Sequence, residues 1–269
     1  MGQIEGQVAI TTGGGEGLGE GIARRFAREG AIVLVVDSDA TEAARVAAMI
    51  RASGGTAHGI MGDMAEPGVA EAIVADAIRT HHRIDILVNA QVPVTRLAML
   101  EAKPAADFIK MLTGTTIAAV LAMQAVFPRM KAAGGGRIVN VGLPYGATAH
   151  EAISDAVVAD GALIALTRAA GFEWAQHNVL VNFLQAGAAD IPAFHTWRDQ
   201  RHDDRIDRLI AAKPMPRLAD PVEDVGGAAM LLVSDEGCFI VGHRIMADGG
   251  QHLAAAVFEP GTTRYGDDI

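Results

Sequence analysis

Short runs of apolar, β-branched residues alternate along this chain with longer alanine-rich stretches, and that alternation narrows the fold more than any other feature. The runs over 8–12, 32–36, 57–61, 84–89, 137–141, 179–184 and 240–247 read as strands. Most are apolar at nearly every position rather than at every second one, which is the pattern of parallel strands buried on both faces. Helices are predicted between them over 18–29, 41–53, 67–81, 104–132, 153–176 and 221–234. Gly30, Gly54, Gly134, Gly135 and Gly136 stand where helix C-termini favour glycine. Parallel strands need long crossovers, which helices supply. One α/β domain is therefore expected, a Rossmann-type, doubly wound, seven-stranded parallel sheet with helices on both faces. It would span 1–253. Within it, 188–216 breaks the alternation, carries His195, Trp197 and His202, and is expected to form a lid-like insertion. The remainder, 254–269, is a C-terminal tail that either frays or reaches a neighbouring subunit.

The first predicted strand runs into Thr12-Gly13-Gly14-Gly15-Glu16-Gly17-Leu18-Gly19, and a helix follows. Glycine lacks Cβ, so this backbone can turn tightly and let a pyrophosphate approach, while the helix start offers free N–H groups and a favourable dipole. A plain turn would explain a glycine cluster alone. Its strand–loop–helix setting at the start of a βαβ unit points to nucleotide binding. The spacing is Gly-x-x-x-Gly-x-Gly rather than Gly-x-Gly-x-x-Gly. Asp37 ends the second strand, where a carboxylate accepts ribose hydroxyls and repels a 2′-phosphate. NAD(H) is thus expected over NADP, the other role for Asp37 being a helix cap.

Composition excludes more than it assigns. A net charge of −10 disfavours phosphate backbones and anionic membrane surfaces, so neither nucleic acid nor membrane is an expected partner. No apolar run is expected to approach the ~18 residues of a membrane helix. The single cysteine, Cys238, fits a reducing cytoplasm and reads as a small buried residue near the last strand. His195, Asp199, His202 and Asp203 fall at helical spacing, but Arg198, Arg201 and Arg205 between them suit a polar surface face better than a metal site, so no metal is expected.

Together these residues resemble the short-chain dehydrogenase/reductase family from Val8 to about Leu253. Thr12 to Gly19 matches its cofactor loop, Asp63-Met64 its adenine-contacting pair, and Asn89-Ala90 part of its Asn-Asn-Ala-Gly motif. Gly136 to Val141, Val181-Asn182 and Asp248-Gly249-Gly250 match later landmarks. The resemblance implies a cofactor site at Gly13, Gly17, Leu18, Gly19, Asp37, Asp63, Met64, Asn89 and Ala90. It also implies a catalytic Asn, Ser, Tyr and Lys, and here the match fails. The Asn position is Thr115, the Ser position Leu143, the Tyr position Ala156 and the Lys position Asp160. Counting forward from the fifth strand and back from Leu166-Thr167-Arg168 gives the same register. The only tyrosines are Tyr145 and Tyr265, so the chain contains no Tyr-x-x-x-Lys. Leu143 can make no side-chain hydrogen bond, Ala156 removes the proton donor, and Asp160 inverts a charge. On the nicotinamide side, Val88, Gln91, Ala186 and Ile191 also depart from the family pattern. Asp160 could still accept from the nicotinamide ribose, or sit as a solvated or Arg-paired helix residue.

The expectation is an NAD(H)-binding member without the Ser/Tyr/Lys hydride-transfer machinery. It would be a pseudoenzyme subunit, in a homo- or hetero-oligomer with a catalytically active paralogue, or a subunit that binds a small-molecule ligand. Family members usually associate through the helices here at 104–132 and 153–176. The alternative is a divergent NAD-dependent oxidoreductase or lyase with a site rebuilt around Tyr145 and His150, a phenol and an imidazole able to exchange protons near neutrality. A conventional alcohol/carbonyl oxidoreductase is a third reading, carried by fold alone.

Overall fold

A computed structural model describes residues 2–93, 95–142, 152–192, 194, 195, 207, 210, 211 and 213–253. Seven strands form one parallel sheet: β1 (Val8–Thr12), β2 (Ile32–Asp37), β3 (Thr56–Met61), β4 (Ile86–Asn89), β5 (Gly136–Gly142), β6 (Val179–Ala186) and β7 (Arg244–Ala247). Their spatial order is β3-β2-β1-β4-β5-β6-β7. The order reverses between β1 and β4, which opens a crevice above their carboxyl ends.

The intervening helices are α1 (Gly17–Arg28), α2 (Ala40–Ala52), α3 (Val69–His81), α4 (Ala105–Leu112), α5 (Ala118–Ala132), α6 (Ser154–Trp174) and α7 (Gly226–Val233). Ile22, Phe26, Val46, Ile50 and Leu232 join one face of the sheet in an apolar core. On the opposite face Val74, Met123, Met130 and Leu163 close a second core around Val8, Ile10, Leu87 and Phe183. Every residue of β1, β4 and β6 is buried, which accounts for their mostly apolar, non-alternating sequence. The edge strands β3 and β7 are more exposed.

Four expectations need correction. The helix predicted over 104–132 is not uniform, because a π-helical turn, Thr113–Ile117, separates α4 from α5. Gly114 lies there because a Cβ would fall 2.4 Å from Cγ of Pro93. The combined run Ala105–Ala132 has 28 residues and mean hydropathy 1.5, so by length and composition it could cross a membrane, contrary to expectation. In the fold its Ala119, Ala122, Met123, Val126 and Met130 pack on the sheet, while Ile109 and Ile117 face outward.

The last strand begins at Arg244, not at 240. Gly242 takes φ +64° and turns the chain. Asn182 on β6 holds that turn: its Nδ2 donates to the Ile240 carbonyl (2.7 Å) and its Oδ1 accepts from the His243 N–H (3.0 Å). Cys238 therefore lies before the turn and is exposed, not buried. Most of the 188–216 insertion and all of the 254–269 tail lie outside the described residues.

Candidate functional site

The glycine loop sits at the head of the crevice, between β1 and α1. Gly13 has φ +60° and Gly17 φ +59°, a region that disfavours side chains. A Cβ on Gly13 would lie 2.7 Å from Cα of Gln91, and one on Gly19 would lie 2.0 Å from the Gly13 carbonyl oxygen. The loop thus folds back on itself and against the end of β4. Glu16, the N-cap residue of α1, makes no side-chain cap bond. The leading N–H groups of α1 are left to face the crevice, as an anion site requires.

Asp37 does not cap a helix; Asp39 does that for α2, accepting from Thr41 and Glu42. Instead Asp37 fastens the loop, with Oδ2 accepting from the Gly15 N–H (2.9 Å) and Oδ1 from the Asp39 N–H (3.0 Å). A carboxylate has about four acceptor directions, so capacity for ribose hydroxyls remains. Arg45, which the sequence did not single out, completes the clamp. Its Nη2 donates to the Gly15 carbonyl (2.9 Å) and to Glu20 (2.7 Å), while Nε meets Glu42 (2.7 Å). Its hydrogen bonds to these two carboxylates, Glu20 first, raise its pKa. Glu42, three residues earlier on the same helix, was the one available signal.

Asp63 accepts from the Ala65 N–H (2.9 Å) and from Nε2 of Gln91 (3.4 Å). Gln91, in place of the family's glycine, therefore reaches across to the adenine-side carboxylate. Met64 and Leu18 are buried in the two cores and support the site from beneath. Ala90 packs partly buried beside the loop. The glycine cradle, the uncapped helix start and the two carboxylates fit the adenosine pyrophosphate half of a dinucleotide.

The second half of the crevice, above β4, β5 and β6, is built differently. Asn89 is buried and turns into the protein: its Nδ2 donates to Oδ1 of Asn140 (2.8 Å). Nδ2 of Asn140 donates in turn to Oγ1 of Thr167 (3.0 Å), which donates to the Leu163 carbonyl (2.8 Å). This relay ties β4, β5 and α6 together. Among the described residues, Oδ1 of Asn89 has no partner.

Ala156 is buried in a small apolar cluster with Met111, Ile153 and Ala159. Thr115 lies in the π-helical turn, where its hydroxyl donates back to the Met111 carbonyl (2.7 Å). Thr116, beside it, donates to the Ala159 carbonyl (3.2 Å) and joins that turn to α6. Asp160 reaches the carboxyl end of β5: a Cβ on Gly142 would meet its Oδ1 at 2.7 Å. Ile191 approaches Gly17 from the other side, 3.7 Å from where a Cβ would stand. Leu143, Tyr145 and His150 lie outside the described residues, as do Asp199, His202 and Asp203. His195 pairs with Asp190, Nε2 to Oδ1 at 2.6 Å.

An unexpected ion pair sits immediately before Ala156. Lys103 and Asp155 have side chains 0% and 1% exposed and meet at 2.8 Å. Thr95 donates to both Asp155 oxygens (2.7 Å each), and Lys103 also donates to the carbonyls of Arg96 and Ala152. Burial alone would raise the Asp155 carboxyl. Bonds from Lys103, Thr95 and the Ala156 N–H outweigh it and hold the pKa below its ordinary value. The pair joins the segment before α4 to the start of α6. Its partners are far apart in sequence and neither belongs to a motif, so nothing in the pattern announced them.

The arrangement can be compared with known proteins. A family model described as enoyl-(acyl carrier protein) reductase matches residues 13–252. An uncharacterized oxidoreductase of Mycobacterium tuberculosis is 33% identical over 253 residues, 93% of this chain and 94% of its own length. A short-chain dehydrogenase/reductase structure from Burkholderia xenovorans superposes with a TM-score of 0.87 at 31% identity, covering 95% of this chain and 100% of that one. A Beutenbergia cavernae structure, described as an NAD(P)-dependent gluconate 5-dehydrogenase with bound NADP, gives a TM-score of 0.85 at 30% identity, covering 94% and 98%. With the sheet order, the glycine loop and the landmarks on β4 to β7 in place, this chain belongs to the short-chain dehydrogenase/reductase family.

Proposed function

We propose that this protein binds NAD(H) through the loop from Gly13 to Gly19 and Asp37, and does not itself transfer hydride to or from alcohols and carbonyls. One observation carries the second half: at the position where the family has its proton-donating tyrosine, α6 presents Ala156 inside an apolar cluster. No Tyr-x-x-x-Lys occurs elsewhere in the chain. A nicotinamide dinucleotide, when bound, supplies the capacity to exchange hydride. A member lacking a positioned proton donor forgoes a factor of roughly 10²–10⁴ in rate. Such a chain serves as a cytoplasmic partner subunit, beside a second copy or an active paralogue, or as a ligand-binding subunit. The outward Ile109 and Ile117 on the α4–α5 run and Val158 on α6 support association through those helices.

The NADP in the Beutenbergia protein belongs to that protein. Here Asp37 opposes a 2′-phosphate, and the nearby Arg45 is already engaged by Glu20 and Glu42. NADH at about 100 times its dissociation constant should raise Tm by roughly 5–10 °C, with a smaller rise for NADPH. Normal turnover of a panel of alcohols and ketones with NAD(H) would overturn the non-catalytic assignment. A second reading, chemistry at a site rebuilt around Tyr145 and His150, rests on a phenol and an imidazole that follow the β5 sequence closely and can exchange protons near neutrality. It fails if Tyr145→Phe and His150→Ala leave a detected activity intact.

A further inference from the structure

The chain holds four lysines, Lys103, Lys110, Lys131 and Lys213. Lys103 and Lys213 are buried, and the fold treats them in opposite ways. Lys103 meets Asp155 at 2.8 Å and also donates to Thr95 and to two carbonyls. Lys213, 8% exposed, donates from Nζ to a single acceptor among the described residues, the Arg217 carbonyl (3.0 Å). The acids around it are committed elsewhere. Asp224 is held by both Nη atoms of Arg217. Buried Asp248 accepts from Nδ1 of His252 (2.8 Å) and from the N–H groups of Gly250 and His252 (3.0 Å each). Burial pushes the Lys213 amine below the ordinary lysine range. The charges of Asp248 and Asp224 offset this only in part, and that of Arg217 reinforces it.

Lys213 stands at the edge of the sheet where doubly wound folds take their ligands, outside the carboxyl ends of the strands. The segment that follows it runs beside the exit of β6, where Ala189 and Ala219 form a parallel bridge. The Met215 N–H donates to the Gly249 carbonyl just beyond β7 (3.1 Å), and a Cβ on Gly250 would fall 2.9 Å from Cγ of Pro214, the lysine's neighbour in the chain. A buried ammonium keeps its charge at a cost that a neutral amine escapes, and a neutral amine is a nucleophile toward carbonyl carbon. We propose that Lys213 is a covalent capture site for small aldehydes and ketones, which it holds as imines. The amine nitrogen attacks the carbonyl carbon, and the C–N bond forms as the carbonyl π pair moves to oxygen. Both amine hydrogens then depart with that oxygen as water, leaving a C=N bond. Nothing is oxidised or reduced, and hydrolysis reverses the step. This ligand class goes beyond the dinucleotide assignment and does not depend on it.

The test is reductive trapping. The full chain is incubated with propanal and cyanoborohydride, which reduces an imine to a stable secondary amine, and the label on each of the four lysines is followed by peptide mass spectrometry. At pH 7 Lys213 should be alkylated several-fold faster than the exposed Lys110 and Lys131, while Lys103, buried but ion-paired, should stay unmodified. The lead should shrink at about pH 10, where lysine amines in general lose their protons, and disappear in concentrated urea. Lys213→Arg, which keeps the charge but forms no imine, and Lys213→Met should each remove the fast phase, with near-ultraviolet circular dichroism to check that they are folded. The site mapping in the wild type stands even if neither variant folds. Labelling of Lys213 no faster than that of the exposed lysines at pH 7 overturns the inference, as does a lead that persists in urea or a fast phase that survives in either folded variant. No dinucleotide enters the measurement, so its failure leaves the assignment of the glycine loop standing.

Discussion

Replacing Asp155 with Asn would leave the Lys103 ammonium without its counter-ion in a place solvent does not reach. Both side chains are essentially unexposed, and the pair spans the segment before α4 and the start of α6. Breaking one partner of such a pair costs about 3–5 kcal/mol, because the remaining charge stays desolvated. For a domain of this size, that lowers Tm by roughly 6–20 °C. Removing both charges in Lys103→Met with Asp155→Leu should recover most of the loss, since apolar replacement of a whole buried pair is commonly neutral or stabilising. The pH dependence carries its own sign. The folded pKa of Asp155 lies below the ordinary 3.8, so its contribution is fully present above that value and is lost as pH falls through the folded pKa. Urea denaturation of wild type and Asp155→Asn at pH 7 and at successively lower pH measures the gap. A difference under about 1 kcal/mol at neutral pH would refute the account, by showing that the carbonyls of Arg96 and Ala152 suffice for the ammonium. So would a gap that did not narrow in acid.

Other consequences are smaller or more local. Gly13→Ala combines a positive φ with a Cβ 2.7 Å from Gln91, so it should cost about 1–3 kcal/mol and abolish the NADH-induced rise in Tm, both read in one thermal-shift series. Thr167→Val removes the acceptor for Asn140 inside the buried relay and should cost about 1–3 kcal/mol by denaturant titration. Arg45→Ala breaks partly exposed pairs worth under about 1 kcal/mol in stability, yet should weaken dinucleotide binding several-fold because it frees the Gly15 carbonyl. Calorimetry and melting of that variant separate the two effects.

The sheet was legible because its central strands are buried on both faces and so carry mostly apolar sequence without a strict alternation. Legibility failed where local signals compete with tertiary contacts. Ile240 and Val241 look like the start of β7, but Asn182 and the positive φ of Gly242 make a turn of them. Nothing in Thr113 to Ile117 announces a π-helical turn, which depends on the fit of Gly114 against Pro93. The nucleotide end was readable because a glycine loop is a local device. The positions of Ala156 and Asp160 follow from two agreeing registers, forward from the fifth strand and back from Leu166-Thr167-Arg168, and α6 carries both residues. The Lys103–Asp155 pair was not readable, since it joins segments far apart in the sequence.

The clamp on the glycine loop bears on how fast and how sharply a ligand is held. Asp37 and Arg45 grip the N–H and the carbonyl of the same residue, Gly15, from β2 and α2. A loop fastened on both sides is already in its receiving shape, so little conformational entropy is lost when an anion arrives. Association should then follow single-step kinetics without a slow ordering phase. Discrimination between ligands would reside mainly in dissociation rates, set in the far half of the crevice rather than at the loop that both ligands grip first.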